Sequence, residues 1–189
     1  VYMRQGRVSV IYGTADGPGT KDDLWGQGLD GLAGLAESGD GFGATVEIGD
    51  FDGDGYEDLA VAAPTEALSG LPRVGIVSLI PGSASGLTAS GDTLWYQDKA
   101  NIAGVGQPND RFGFALRAVD ADGDGRDDLA MGAPQFTEPP ASPSPNSGEV
   151  ALIYGTAGGL SASGDELWSQ ATSGVTGNPQ SGDRFGGAL

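Results

Sequence analysis

The apolar residues of this chain fall in short runs closed by Gly or Pro, with polar stretches rich in Gly, Ser and Thr between them. Leu59-Ala60-Val61-Ala62-Ala63-Pro64 and Leu129-Ala130-Met131-Gly132-Ala133-Pro134 are short and end on Pro, so they predict buried strands rather than helices. Residues 42–49 alternate, which places Ala44, Val46 and Ile48 on one face of a strand. Residues 6–13, 75–82 and 148–155 are rich in β-branched side chains and each ends on Gly, the mark of a strand and its turn. Segments around Trp at 23–27, 93–98 and 166–170 predict outer strands, reached through polar connections at 14–21, 83–91 and 156–164.

The same order recurs along the chain. Phe-Gly occurs at Phe42-Gly43, Phe112-Gly113 and Phe185-Gly186, with spacings of 70 and 73 residues. Trp25, Trp95 and Trp168 each stand 17 residues before a Phe-Gly. Asp40, Asp110 and Asp183 precede each Phe by two residues, and Gln27, Gln97 and Gln170 follow each Trp by two. So many positions in register exclude chance repetition. The Trp residues, locked to the repeat, are expected to pack between units rather than to form sugar platforms.

One complete unit reads as four antiparallel strands at 42–49, 58–63, 74–80 and 93–98. Four-stranded units repeated around a channel are the blades of a β-propeller. A β-helix fits poorly, because its repeats are far shorter. The predicted fold class is therefore all-β, built of β-propeller blades of four antiparallel strands. The chain divides into the second half of a blade (1–37), complete blades at 38–107 and 108–180, and the first strand of the next at 181–189. Two complete blades are fewer than the roughly 4–8 of a closed ring. The remaining blades are expected from further chain or from other copies. A proline-rich insert at 138–145 lengthens one connection by three residues and predicts an extended, exposed loop.

Between the first two strands of each unit lies a nine-residue acidic stretch. Asp50-Phe51-Asp52-Gly53-Asp54-Gly55-Tyr56-Glu57-Asp58 and Asp120-Ala121-Asp122-Gly123-Asp124-Gly125-Arg126-Asp127-Asp128 both read D-x-D-G-D-G-x-x-D. Carboxylates at positions one, three, five and nine are hard oxygen ligands, of which Ca²⁺ takes roughly 6–8. Gly at position six permits the sharp turn. The carbonyl of position seven, Tyr56 or Arg126, adds a further oxygen. A plain Asp-Gly turn would need one Asp, not a spaced set. An EF-hand is excluded, since the position of its Glu is held by Val61 and Met131. Mg²⁺ suits such a cage less well than Ca²⁺, because it retains several waters.

Composition narrows the function. Gly is 35 and Pro 11 of 189 residues, and the apolar runs between them favour tight turns over disorder. Net charge is −17, without the basic footprint of a nucleic-acid binder, and anionic membranes are disfavoured too. No apolar run is long enough to insert into a membrane. There is no Cys and no His, so disulfides, Ser-His and Cys-His nucleophiles and the usual zinc sites are absent from this sequence. Paired carboxylates could serve glycoside hydrolysis, but the clustered Asp are better used as metal ligands, and no catalytic residue is assigned.

Phe42-Gly43 with Ala62-Ala63-Pro64, and Phe112-Gly113 with Gly132-Ala133-Pro134, resemble FG-GAP repeats, and the acidic stretch resembles that family's calcium loop. The combination is similar to the β-propeller of integrin α subunits and to bacterial integrin-like FG-GAP proteins. The resemblance implies a seven-bladed propeller with Ca²⁺ held between the first two strands of a blade. Carried over by position, the ligands would be Asp50, Asp52, Asp54, the Tyr56 carbonyl and Asp58, then Asp120, Asp122, Asp124, the Arg126 carbonyl and Asp128. Ala62 stands where the motif usually has Gly, and no Arg-Gly-Asp tripeptide is present. The expected function is a calcium-stabilised extracellular propeller, secreted or on the cell surface. It would act as a binding, adhesion or scaffold module for a protein or glycan partner. The alternatives are a self-assembling structural protein and the accessory propeller of a secreted hydrolase.

Overall fold

The computed structural model describes residues 6–99, 102–137 and 145–189, and among these there are strands but no helix. Strands β1 (Val8–Thr14) and β2 (Gly17–Trp25) form a hairpin. Strands β3 (Thr45–Gly49), β4 (Asp58–Ala63), β5 (Ile76–Ile80) and β6 (Thr93–Trp95) form a sheet in that order. Strands β7 (Ala115–Val119), β8 (Asp128–Ala133), β9 (Glu149–Tyr154) and β10 (Ser161–Trp168) form a second one. All pairings within these sheets are antiparallel between sequence neighbours, the meander expected of a propeller blade. The fold is all-β, as the periodicity predicts.

Several predicted strands are trimmed at their ends for local reasons. The first strand begins at Thr45 rather than 42, because Ala44 N–H closes a turn on Gly41 and Gly43 has φ +83°. The third begins at Ile76 rather than 74, because the Val74 carbonyl accepts from Phe112 of the next unit. The fourth ends at Trp95 rather than 98, where Lys99 N–H turns back onto the Tyr96 carbonyl. Residues 181–189 hold a parallel bridge from Phe185 to Gly148 rather than a strand. In the earlier units the strand starts three residues after Phe, a position matched here by Ala188. The proline-rich insert lies, but for Pro145, outside the described residues.

The sheets stack face to face, and alternation along β4 and β5 decides which side chain meets which neighbour. Ala60, Ala62, Val77 and Leu79 join Leu116, Leu129 and Met131 of the following sheet in one core. Leu59, Val61, Ala63, Ile76 and Ile80 point the other way and pack with Trp25, Val8 and Val10 of the β1–β2 hairpin. Every residue of β4 and β5 is buried, which is why their sequence is apolar apart from Asp58 and Ser78. Trp25 and Trp95 each lie in one of these inter-sheet cores, as expected, whereas Trp168, on the last sheet, is 39% exposed.

The face carrying Val46 and Ile48 is exposed on β3, at 45% and 60%. Its counterpart on β7, Leu116, is buried against Ala60 and Ala62 of β4. Among the described residues the hairpin β1–β2 supplies a third and a fourth strand, and no inner strand of that unit covers β3.

Close backbone approach fixes the spacing between sheets. Gly75 has φ +88°, and a Cβ there would stand 2.3 Å from the Phe112 carbonyl oxygen. Gly6 against Phe42 and Gly148 against Phe185 repeat this at 2.1 and 2.2 Å. Phe112 N–H donates to the Val74 carbonyl and Arg111 N–H to that of Arg73, so the Phe-Gly segment is laced to the preceding sheet. Gly70 shares the positive φ (+84°) but has open space where a Cβ would lie. Gly70→Ala should therefore cost only the backbone penalty, about 1 kcal/mol. Gly75→Ala adds overpacking of about 1–3 kcal/mol against main chain that cannot yield. Urea midpoints of the two variants should differ accordingly; equal midpoints would remove the inter-sheet contact as a determinant.

Candidate metal centres

Each acidic stretch is the hairpin turn between the first two strands of a sheet, opened at Gly49–Asp58 and Val119–Asp128. The turn is folded by its own carboxylates. Asp50 Oδ1 accepts from Gly53 N–H (2.8 Å) and Asp54 N–H (3.1 Å), and its Oδ2 from Gly55 N–H (3.0 Å). Asp52 Oδ1 accepts from Asp54 N–H (2.9 Å), and Asp54 Oδ1 from Tyr56 N–H (2.8 Å). The second loop repeats the pattern from Asp120 to Gly123 and Gly125, Asp122 to Asp124 and Asp124 to Arg126. Phe51, completely buried, pins the first loop to the inter-sheet core.

This winding brings the side chains of positions one, three and five together. Carboxylate oxygens of Asp50, Asp52 and Asp54 lie within 4.8 Å of one another, as do those of Asp120, Asp122 and Asp124. Three hard, anionic donors at that separation fit a divalent cation, and without one they repel. Asp58 and Asp128 do not join these groups. Each is buried and tied across the hairpin: Asp58 accepts from Phe51 N–H (3.3 Å) and Gly82 N–H (2.7 Å), Asp128 from Ala121 N–H (2.8 Å) and Gly155 N–H (2.9 Å). The Gly that closes the third strand thus anchors the ninth loop position. Burial, with Asp52 and Asp54 nearby, raises the Asp58 carboxyl to about 6 despite those two hydrogen bonds. Tyr56 and Arg126 stand at position seven. The Arg126 guanidinium also pairs with Asp124 at 2.6 Å, so the second loop carries part of its own counter-charge.

The fold assembles a third acidic group that no spacing announced. Glu37, Asp40 and Glu66 present oxygens within 4.8 Å of one another, and Asp40 and Glu66 are buried. Glu66 accepts from the buried Gln27 amide at 2.8 Å. In the next unit Gln97 makes the same donation to Glu149 at 2.5 Å. The two acids occupy different repeat positions: Phe136 matches Glu66, and Ile76 matches Glu149. The repeated Gln was visible in the sequence, but its partner could not be found by register.

Burial first, then repulsion from Asp40 and Glu37, pushes Glu66 up to about 7, against the lowering effect of Gln27. Between its ordinary 4.5 and about 7 the folded chain holds a proton that the unfolded chain has released. Stability from this group is therefore complete at low pH and is lost as pH rises through that window. Glu66→Gln should raise the melting temperature at pH 7.5 by roughly 2–4 °C, equivalent to about 1 kcal/mol, and change little at pH 4.5. A pH-independent difference in scanning calorimetry would refute the proton held by Glu66.

The comparisons agree with this geometry. The FG-GAP repeat model matches residues 42–80 and 112–153, each spanning a Phe-Gly, an acidic loop and the two strands after it. Phosphatidylinositol-glycan-specific phospholipase D of Mus musculus is 37% identical over 130 residues, covering 68% of this chain and 14% of that protein. The Homo sapiens protein of the same name is 34% identical over 122 residues, 64% of this chain and 14% of its own length. Integrin alpha-PS2 of Drosophila melanogaster is 37% identical over 100 residues, 51% of this chain and 6% of the integrin. The chain thus spans a small part of each of these relatives. With its repeated four-stranded sheets and acidic hairpins, it is an FG-GAP repeat protein, and residues 42–80 and 112–153 are two of its repeats.

Proposed function

We propose that this chain is part of a calcium-stabilised extracellular β-propeller that presents a binding or scaffold surface to a protein or glycan partner. The observation that carries the reading is the pair of hairpin turns, each converging three carboxylates. Asp50, Asp52 and Asp54 would hold one Ca²⁺, and Asp120, Asp122 and Asp124 the other. Asp58, Asp128 and the carbonyls of Tyr56 and Arg126 are proposed to complete the shells. Carboxylate oxygens that already accept one N–H retain lone pairs for a cation.

The ion's contribution is structural. It cancels the repulsion within each turn and fixes the turn against the strands that enter and leave it. Two bound Ca²⁺ add four charges to a chain of net −17, which stays acidic. Extracellular modules bind Ca²⁺ at about 10⁻⁴–10⁻³ M, a concentration regime found outside the cell. With no His or Cys in the sequence and its clustered Asp assigned to metal, the chain is read as non-catalytic. A second reading, the accessory propeller of a secreted hydrolase, is favoured by the phospholipase relatives.

At 100-fold excess over Kd, each site should add about 2.7 kcal/mol to stability. Chelation should lower the melting temperature, Ca²⁺ but not Na⁺ should restore it, and Asp52→Ala with Asp122→Ala should abolish the response. A midpoint indifferent to chelator would sink the structural role of the ion. Pull-down on protein and glycan arrays, with and without Ca²⁺, tests the binding role, and turnover by the isolated chain would overturn the non-catalytic one.

A further inference from the structure

The two acidic loops touch, and the contact falls on a candidate ligand. Asp127 occupies the eighth position of the second loop, where the first loop has the exposed Glu57. Asp127 N–H donates to the Asp50 carbonyl at 3.1 Å, and Asp127 Oδ2 accepts from Asp50 N–H at 3.0 Å. Two hydrogen bonds from the second loop therefore close on the main chain of Asp50. That residue's carboxylate in turn organises Gly53, Asp54 and Gly55 of the first loop.

Neighbouring contacts reinforce the clamp. A Cβ on Gly49 would stand 3.0 Å from Asp127 Oδ2, and one on Gly53 3.1 Å from both Cγ and Nε of Arg126. A Cβ on Gly155, whose N–H holds Asp128, would stand 2.8 Å from the Phe51 carbonyl oxygen. Residues 126 and 127, with Gly155 beside them, thus form the wall against which residues 49–53 are set.

We propose that the two loops bind divalent cations as a coupled pair, with Asp127 of the second loop acting as a positioning residue for the first site. The inference rests on the calcium reading above. A cation in the second loop draws Asp120, Asp122 and Asp124 together and fixes the main chain that leads into Asp127. The clamp then holds Asp50 in place, and the first loop loses less freedom when it binds its own ion. Linkage makes the effect reciprocal: each site must change the other's affinity by the same factor.

The test is a Ca²⁺ titration of the whole chain by calorimetry, in which a chain with one loop disabled reports the affinity of the other loop alone. Disabling the second site with Asp122→Ala should weaken binding at the first by about fivefold or more, the lower range for coupled sites. Asp52→Ala should weaken the second by the same factor. Asp127→Ala should uncouple the sites, while Asp127→Asn, which keeps an oxygen acceptor for Asp50 N–H, should preserve most of the coupling. First-site affinity unchanged in Asp122→Ala, or coupling that survives Asp127→Ala, overturns the proposal with the calcium reading intact. No binding at either loop of the unmodified chain overturns both.

Discussion

Burial on both faces governs this structure. Strands β4 and β5 hand alternate side chains to opposite neighbours, so the middle of the first four-stranded sheet has no solvent side. A single sheet of this composition would expose a full apolar face whichever way it turned. Stability therefore comes from stacking, and each unit depends on those before and after it. Where no inner strand among the described residues covers β3, Val46 and Ile48 are exposed, which follows the same rule.

Stacking also sets the chemistry. The Phe-Gly segment can lie on the preceding sheet only because Gly75 and its equivalents have no side chain. At the other end of the strands the hairpin turns of successive sheets meet, Asp50 against Asp127. The turns concentrate negative charge that their own backbone N–H groups only partly satisfy. Main-chain packing and carboxylate repulsion thus oppose one another at the same place, and a divalent cation bound there would reconcile them.

The repeat, the strand order and both acidic loops were legible in the sequence because each is local or periodic. A spaced set of Asp within nine residues needs no tertiary information, and a Trp in register with a Phe-Gly needs only counting. Strand ends were less legible. Val74 and Asp98 were assigned to strands, yet they belong to the contact with the next unit and to a turn. The group of Glu37, Asp40 and Glu66 was invisible, since its members come from two connections and meet only when the sheet has formed. Asp127 carried no signal either: at its position the first loop has Glu57, which points to solvent. Contacts between units leave their mark on glycines, and the side chains that exploit those glycines differ from one unit to the next.

The buried acid that receives the repeated Gln amide has a consequence for engineering. One unit has the acid at Glu66 and an apolar residue at Ile76, the other the acid at Glu149 and an apolar residue at Phe136, so charge and bulk have traded repeat positions. A consensus built by averaging units would mix these solutions, giving two carboxylates facing one amide or none at all. Grafting a third strand without its preceding connection would do the same. The units are alike in backbone yet not interchangeable in parts, and shuffling between them has to move the acid and its apolar counterpart as one cassette.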